Sequence, residues 1–153
     1  MSSFLQEPFV DLIYFDRHGD DRGSLTAIEN GKQIPFDIQR IYYIYETHAE
    51  AIRGKHAHNN LKQVLICVSG SCEVQVEFQG TQKTFLLDSP TEGLYIQGKV
   101  WREMKNFSAG AVLLVLADAP YDKNDYIFSY QDFKQSHPPV IENLPPEYRE
   151  CTF

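Results

Sequence analysis

From about residue 38 to residue 118, apolar positions recur in short runs divided by turn residues. Residues 41–45 (IYYIY) are β-branched and aromatic, which suits a pleated surface. Residues 63–68 (QVLICV) form a near-continuous apolar run that stops at Ser69-Gly70. Cys72, Val74, Val76 and Phe78 then alternate with Glu73, Gln75 and Glu77, the period-2 pattern of a half-buried strand. Gln79-Gly80 turns this strand into a hairpin partner over 83–87. Ser89-Pro90, Gly93 and Gln97-Gly98-Lys99 bracket a short strand at 94–96, and further strands are predicted over 100–107 and 111–117. The last (AVLLVLA) has the composition of a buried helix, but its length between turn signals favours a strand.

Many short strands at close spacing predict an all-β fold, a small barrel or sandwich. One helix is expected, one or two turns within 125–134 packed outside the sheets. His137-Pro138-Pro139 and Leu144-Pro145-Pro146 then forbid regular structure. The chain therefore divides into a single domain over 1–136 and a Pro-rich tail over 137–153, without repeats or an internal linker.

Composition narrows the function classes. The chain has 153 residues, a hydrophobic share of 42% and a net charge of −7, ordinary values for one globular domain. An acidic surface repels phosphate backbones, so nucleic acid is not the expected partner, although a few local arginines can still hold a small phosphorylated ligand. No apolar run approaches the ~20 residues of a membrane span. Residues 1–8 lack a basic start followed by an apolar stretch, so a cytoplasmic location is expected. Cys67, Cys72 and Cys151 are an odd number and fit no disulfide framework.

Of the five histidines, His18 and His48 lie in polar turn-like stretches and His137 precedes two prolines, so all three read as surface residues. His56 and His58 differ. In extended chain, i and i+2 project from one face, so the two imidazoles point together. That spacing serves two chemistries: proton transfer near neutral pH and ligation of one metal ion.

The segment Arg53-Gly54-Lys55-His56-Ala57-His58, with Gln63 and Gly70 following, resembles the first motif of the cupin superfamily, in which a glutamate stands where this chain has Gln63. In the second motif, a histidine ligand follows a glycine that aligns with Gly98, and the residue at that place is Trp101. Two expected metal ligands are thus replaced. The resemblance implies a cupin-like small β-barrel or jelly roll whose histidines move protons and hold no metal.

A closer resemblance extends from residue 10 to residue 133. Asp21-Arg22-Gly23, Ile34-Pro35-Phe36, Arg40-Ile41-Tyr42-Tyr43-Ile44, Gly93-Leu94-Tyr95-Ile96, Val100-Trp101-Arg102-Glu103-Met104 and Tyr121-Asp122-Lys123-Asn124-Asp125-Tyr126-Ile127, in order around the HxH pair, look like the sugar 3,4-ketoisomerases. These act on dTDP-linked 4-keto-6-deoxyglucose. Moving a ketone from C4 to C3 requires a base for the C3 proton, a relay between two oxygens, donors for an enediolate, and no redox cofactor. The resemblance implies His56 as carbon acid/base, with His58 and Tyr42 handling oxygen protons. Arg53 is expected at the enediolate or the diphosphate, Arg22 and Arg102 at the phosphates, and Tyr43, Tyr95 or Trp101 against thymine or sugar. Trp101 in particular is expected to face the barrel interior. The residue after the tryptophan is histidine in family members making the galacto product and arginine in those making the gluco product. Arg22 with Arg102 mixes the two patterns, and Arg22 tips the expectation toward galacto. The family also implies a homodimer with exchanged N-terminal strands. A cupin-fold 3,5-epimerase and a non-catalytic sugar-binding cupin are the competing readings.

Overall fold

The computed structural model describes residues 7–136. Twelve strands are formed: β1 (Phe9–Tyr14), β2 (His18–Asp20), β3 (Gly23–Leu25), β4 (Arg40–Ile44), β5 (Arg53–His58), β6 (Lys62–Ser69), β7 (Cys72–Phe78), β8 (Thr81–Leu87), β9 (Glu92–Gln97), β10 (Trp101–Lys105), β11 (Val112–Ala117) and β12 (Tyr126–Ile127). One α-helix, α1 (Tyr130–Ser136), follows a 3-10 turn at Lys123–Asp125. Two antiparallel five-stranded sheets face one another, ordered β1-β9-β6-β11-β4 and β12-β5-β10-β7-β8, with β2 and β3 as a separate ribbon. The architecture is a cupin-type jelly roll of two sheets, not a continuously paired barrel.

The main core lies between the sheets. Leu65, Leu94, Ile96, Leu113 and Val115 from one sheet meet Val74, Val76, Leu87 and Met104 from the other. The alternation of β7 places Val74 and Val76 on this inner face and leaves Gln75 and Glu77 on the outer face. From Val64 to Cys67, β6 is apolar without a break because it is central and covered twice. Its Leu65 and Cys67 enter the inter-sheet core, whereas Val64 and Ile66 pack outward against Ile34, Phe36 and Phe15. Covering both faces of a central strand is what a continuous apolar run requires.

The helix has the expected length of one to two turns but begins later than 125. Tyr126 and Ile127 instead pair with His58 and Ala57 as the edge strand β12, and helix begins only at Tyr130. Phe133 of α1 packs with Ala57 and Trp101 on the outer face of the second sheet, the apolar anchor that fixes the helix there. Among the described residues no helix is long and apolar enough to cross a membrane. The predicted tail over 137–153, with His137 and Cys151, lies outside the described residues.

Candidate active site

β5 carries the histidine pair. Its outward Ala57 is buried under α1, so the period-2 alternation turns His56 and His58 inward together. Their ring centroids are 4.8 Å apart and nearly perpendicular. A bulge shapes the strand just before them: Arg102 of β10 lies opposite His56, but the next residue, Glu103, lies opposite Gly54, leaving Lys55 unpaired. Gly54 has φ +85, and a Cβ there would approach the Arg102 carbonyl oxygen to 2.9 Å, so glycine is required on both grounds.

β10 places Arg102 and Met104 on the inner face and Trp101 and Glu103 on the outer. Arg102 is 1% exposed. Its Nε and Nη2 donate to the Val100 carbonyl at 3.3 and 3.1 Å, and its Nη1 donates to Gln63 Oε1. Gln63 Nε2 in turn donates to the Tyr42 hydroxyl at 3.1 Å. Tyr42, on the edge strand β4, borders a cavity of about 510 Å³ that also includes His56, Arg53 and Tyr126. The guanidinium of Arg40 sits 5.4 Å from the Tyr42 ring centroid and 5.8 Å from that of Tyr121.

The last strand closes the site. Tyr126 lies 5.0 Å from His56 and 4.3 Å from His58, centroid to centroid, and stacks on Phe128. Asp125, immediately before it, has one carboxylate oxygen 3.2 Å from His58 Nδ1, and its other oxygen accepts from the Asn60 N–H at 3.1 Å. The Asp125 carbonyl accepts the Asn59 N–H at 2.9 Å. With a carboxylate at Nδ1, the proton of a neutral His58 resides there, and Nε2 presents a lone pair. That Nε2 is buried and has no hydrogen-bond partner.

Electrostatics keep both imidazoles neutral. Burial first, then the Arg102 charge, pushes His56 from 6.5 down to about 4. The same two causes, joined by His56 and Arg40, depress His58 further still. Burial lowers Arg102 to about 10, which leaves it cationic at neutral pH. Burial also raises the Tyr42 hydroxyl, so it stays protonated as a donor. The site therefore combines neutral bases, a fixed cation and a hydroxyl donor, the set an enolisation needs.

This donor set does not suit the metal found in many cupins. The amide oxygen of Gln63 is already engaged by Arg102, and that guanidinium places a fixed positive charge among the inward groups. Two imidazoles beside a buried cation are a poor seat for a divalent ion.

The structure brings together His56, His58, Tyr42, Arg53 and Arg102, with Tyr43 at the cavity rim. Three expected residues are elsewhere. Trp101 faces outward beneath α1, 5.8 Å from Phe133 and 5.3 Å from Tyr130, because the strand's alternation gives the interior to its neighbour Arg102. Tyr95 packs on the outer face of the first sheet, stacked on Phe36, with its hydroxyl donating to Gln97. Arg22 sits at the exposed tip of the β2–β3 ribbon, ion-paired with Asp20, and does not border the cavity of its own chain. Arg102 is itself too buried to clamp a phosphate in open solvent.

Four groups were not foreseen: Arg40, Gln63 as a structural bridge, Asp125 and Tyr126. Arg40 shares the period-2 face of Tyr42, so alternation alone would have placed it. Asp125 and Tyr126 reach the histidines only through the β12–β5 pairing, for which the local sequence holds no signal.

Residues 9–137 match the model of the FdtA family, described as WxcM-like, C-terminal. Over 124 residues, the chain is 48% identical to the TDP-4-oxo-6-deoxy-alpha-D-glucose-3,4-oxoisomerase of Aneurinibacillus thermoaerophilus, a match spanning 81% of this chain and 89% of that one. A solved structure of the 3,4-ketoisomerase QdtA from Thermoanaerobacterium thermosaccharolyticum, a histidine-to-asparagine mutant in complex with TDP-4-keto-6-deoxyglucose, superposes with a TM-score of 0.82 at 44% identity, covering 83% of this chain and 92% of that chain. The WlaRB TDP-quinovose 3,4-ketoisomerase from Campylobacter jejuni gives a TM-score of 0.79 at 47% identity, covering 82% and 97%. With inward histidines, a hydroxyl donor and a buried cation in a jelly roll of that shape, the chain belongs to the FdtA family of sugar 3,4-ketoisomerases and is an enzyme of the isomerase class.

Proposed function

We propose that the protein converts TDP-4-keto-6-deoxyglucose to the TDP-3-keto-6-deoxy hexose by histidine acid/base catalysis. The observation that carries this reading is the pair of neutral imidazoles 4.8 Å apart on one inward strand face. His56, bordering the large cavity, removes the C3 proton, which the adjacent C4 carbonyl acidifies. The electron pair of that C–H bond forms the C3–C4 double bond of an enediolate. Its negative charge builds up on O4 beside the Tyr42 hydroxyl, in the field of the buried Arg102 cation. His58, held by Asp125, accepts the O3 proton through its bare Nε2 as the new carbonyl forms at C3. The C3–C4 π pair takes up a proton at C4 from protonated His56, O4 takes up the one held by His58, and both imidazoles return to neutral, so the reaction balances without an oxidant. Arg53 holds the diphosphate, a role supported by its position on the cavity lining.

We assign the product to the gluco series. Arg102 lies opposite His56, and arginine here is the gluco pattern of the family resemblance, in keeping with the TDP-quinovose name of the Campylobacter relative. Arg22, on which the galacto expectation rested, is at an exposed tip in its own chain. Because it lies away from the histidine cavity of its own chain, the assembly we propose is a homodimer that exchanges the β2–β3 ribbon and brings Arg22 toward the partner's site. Strand β1 itself pairs with β9 along its whole length within the chain.

The test is incubation with TDP-4-keto-6-deoxyglucose in heavy water followed by NMR. Ketone migration with deuterium at C4, and an equatorial C4 hydroxyl after trapping, is the expected result. Deuterium at C3 and C5 without migration would make the protein an epimerase, and no label would leave a binder. Arg102→His is expected to move the epimer ratio more than the rate.

A further inference from the structure

Gln63 sits where the cupin motif has a metal-binding carboxylate, is 1% exposed, and has exactly one partner for each end of its amide. Those partners fix its orientation. A guanidinium carries only donors, so Nη1 of Arg102 must meet the amide oxygen. The amide NH2 is then turned toward Tyr42, and the Tyr42 oxygen accepts from it at 3.1 Å. A hydroxyl that accepts from the protein keeps its own hydrogen for another acceptor. Among the described residues, Tyr42 has no further hydrogen-bond partner, and it borders the large cavity.

We infer that Gln63 is a positioning residue: by bridging Arg102 to Tyr42 it aims the Tyr42 hydroxyl hydrogen into the cavity, at the oxygen of the bound keto sugar. The inference rests on the ketoisomerase reading. It gives the glutamine a purpose that a carboxylate cannot serve. With Glu at this position both oxygens are acceptors. One would pair with Arg102, and the other would draw the Tyr42 hydrogen away from the cavity.

The experiment compares wild type, Gln63→Glu, Tyr42→Phe and the double variant, using TDP-4-keto-6-deoxyglucose and an NMR readout of ketone migration. Wild-type migration is the entry condition, and its failure removes the ketoisomerase reading rather than this assignment. Gln63→Glu is expected to lower kcat about 30-fold or more with KM within about threefold, the pattern of a lost transition-state contact. The double variant should be no slower than Tyr42→Phe alone, because both changes remove the same hydroxyl hydrogen bond. In Gln63→Glu, the acid limb of kcat/KM should also move to higher pH, since a carboxylate beside Arg102 offsets the charge that disfavours imidazolium at His56. Wild-type rates, or losses that simply multiply in the double variant, would overturn the assignment. Gln63→Met, which lacks both hydrogen bonds and keeps the volume, repeats the cycle should the buried carboxylate prevent folding. If neither variant folds, the role is structural and the assignment fails.

Discussion

Acidification from pH 7 to pH 5 tests whether the two imidazoles are held neutral by burial. An unfolded chain titrates its histidines near 6.5, whereas His56 titrates at about 4 and His58 lower still. A group depressed in the folded state contributes stability above its unfolded pKa, and that contribution drains away as pH falls toward the folded value. For His58, 1% exposed, the loss by pH 5 is about 2 kcal/mol. His56 is partly open to solvent and is discounted to about 1–1.5 kcal/mol. The pair thus forfeits about 3 kcal/mol, a large fraction of the ~5–15 kcal/mol that holds a domain folded. With a urea slope of about 2 kcal/mol per M, the unfolding midpoint should fall by roughly 1.5 M. Fluorescence of Trp101, the single tryptophan, reports the transition, because its ring is buried beneath α1. His58→Asn removes one titrating group and should retain less than half of the wild-type fall. Burial raises Asp125 and acts in the opposite sense at lower pH, so the comparison stops at pH 5. An unchanged midpoint in the wild type, or an equal fall in His58→Asn, would refute neutral burial and with it the proposed base.

Two substitutions test the remaining machinery. His56→Asn should lower kcat by about 10²–10⁴-fold, at least ~3 kcal/mol of transition-state stabilisation, while calorimetric TDP affinity stays within about threefold. Normal turnover in that variant would remove His56 as the carbon base. Asp125→Asn should lower kcat by roughly ten- to a hundredfold, the worth of a charge-assisted hydrogen bond, since an amide no longer fixes the His58 proton on Nδ1. Unaltered kinetics would mean that the tautomer is set by another group.

The inner-sheet architecture was written in period 2. Cys72–Phe78 forms over the range its alternation gives, and the same rule turned His56 and His58 inward. The error at Trp101 comes from the cupin alignment, which took one position in β10 as the ligand site. The bulge at Lys55 and the register of β10 set the inward side chain one residue later, at Arg102. Tyr95 misled for a different reason: an aromatic on a strand covered on both faces packs equally well outward, and only the loop carrying Ile34 and Phe36 decides the matter. β12 was illegible because a two-residue strand has too little sequence to show a period. Its place is fixed by Asp125 gripping the turn after β5.

The pairing of β12 with β5 also separates completion of the site from completion of the shell. Among the described residues every other strand ends at or before Ala117, so both sheets, with the histidines on β5, are built from chain that precedes residues 125–127. Without that two-residue strand the imidazoles would stand open to water, with no Tyr126 over them and no Asp125 at Nδ1. The shell and the finished site thus rest on different stretches of the chain.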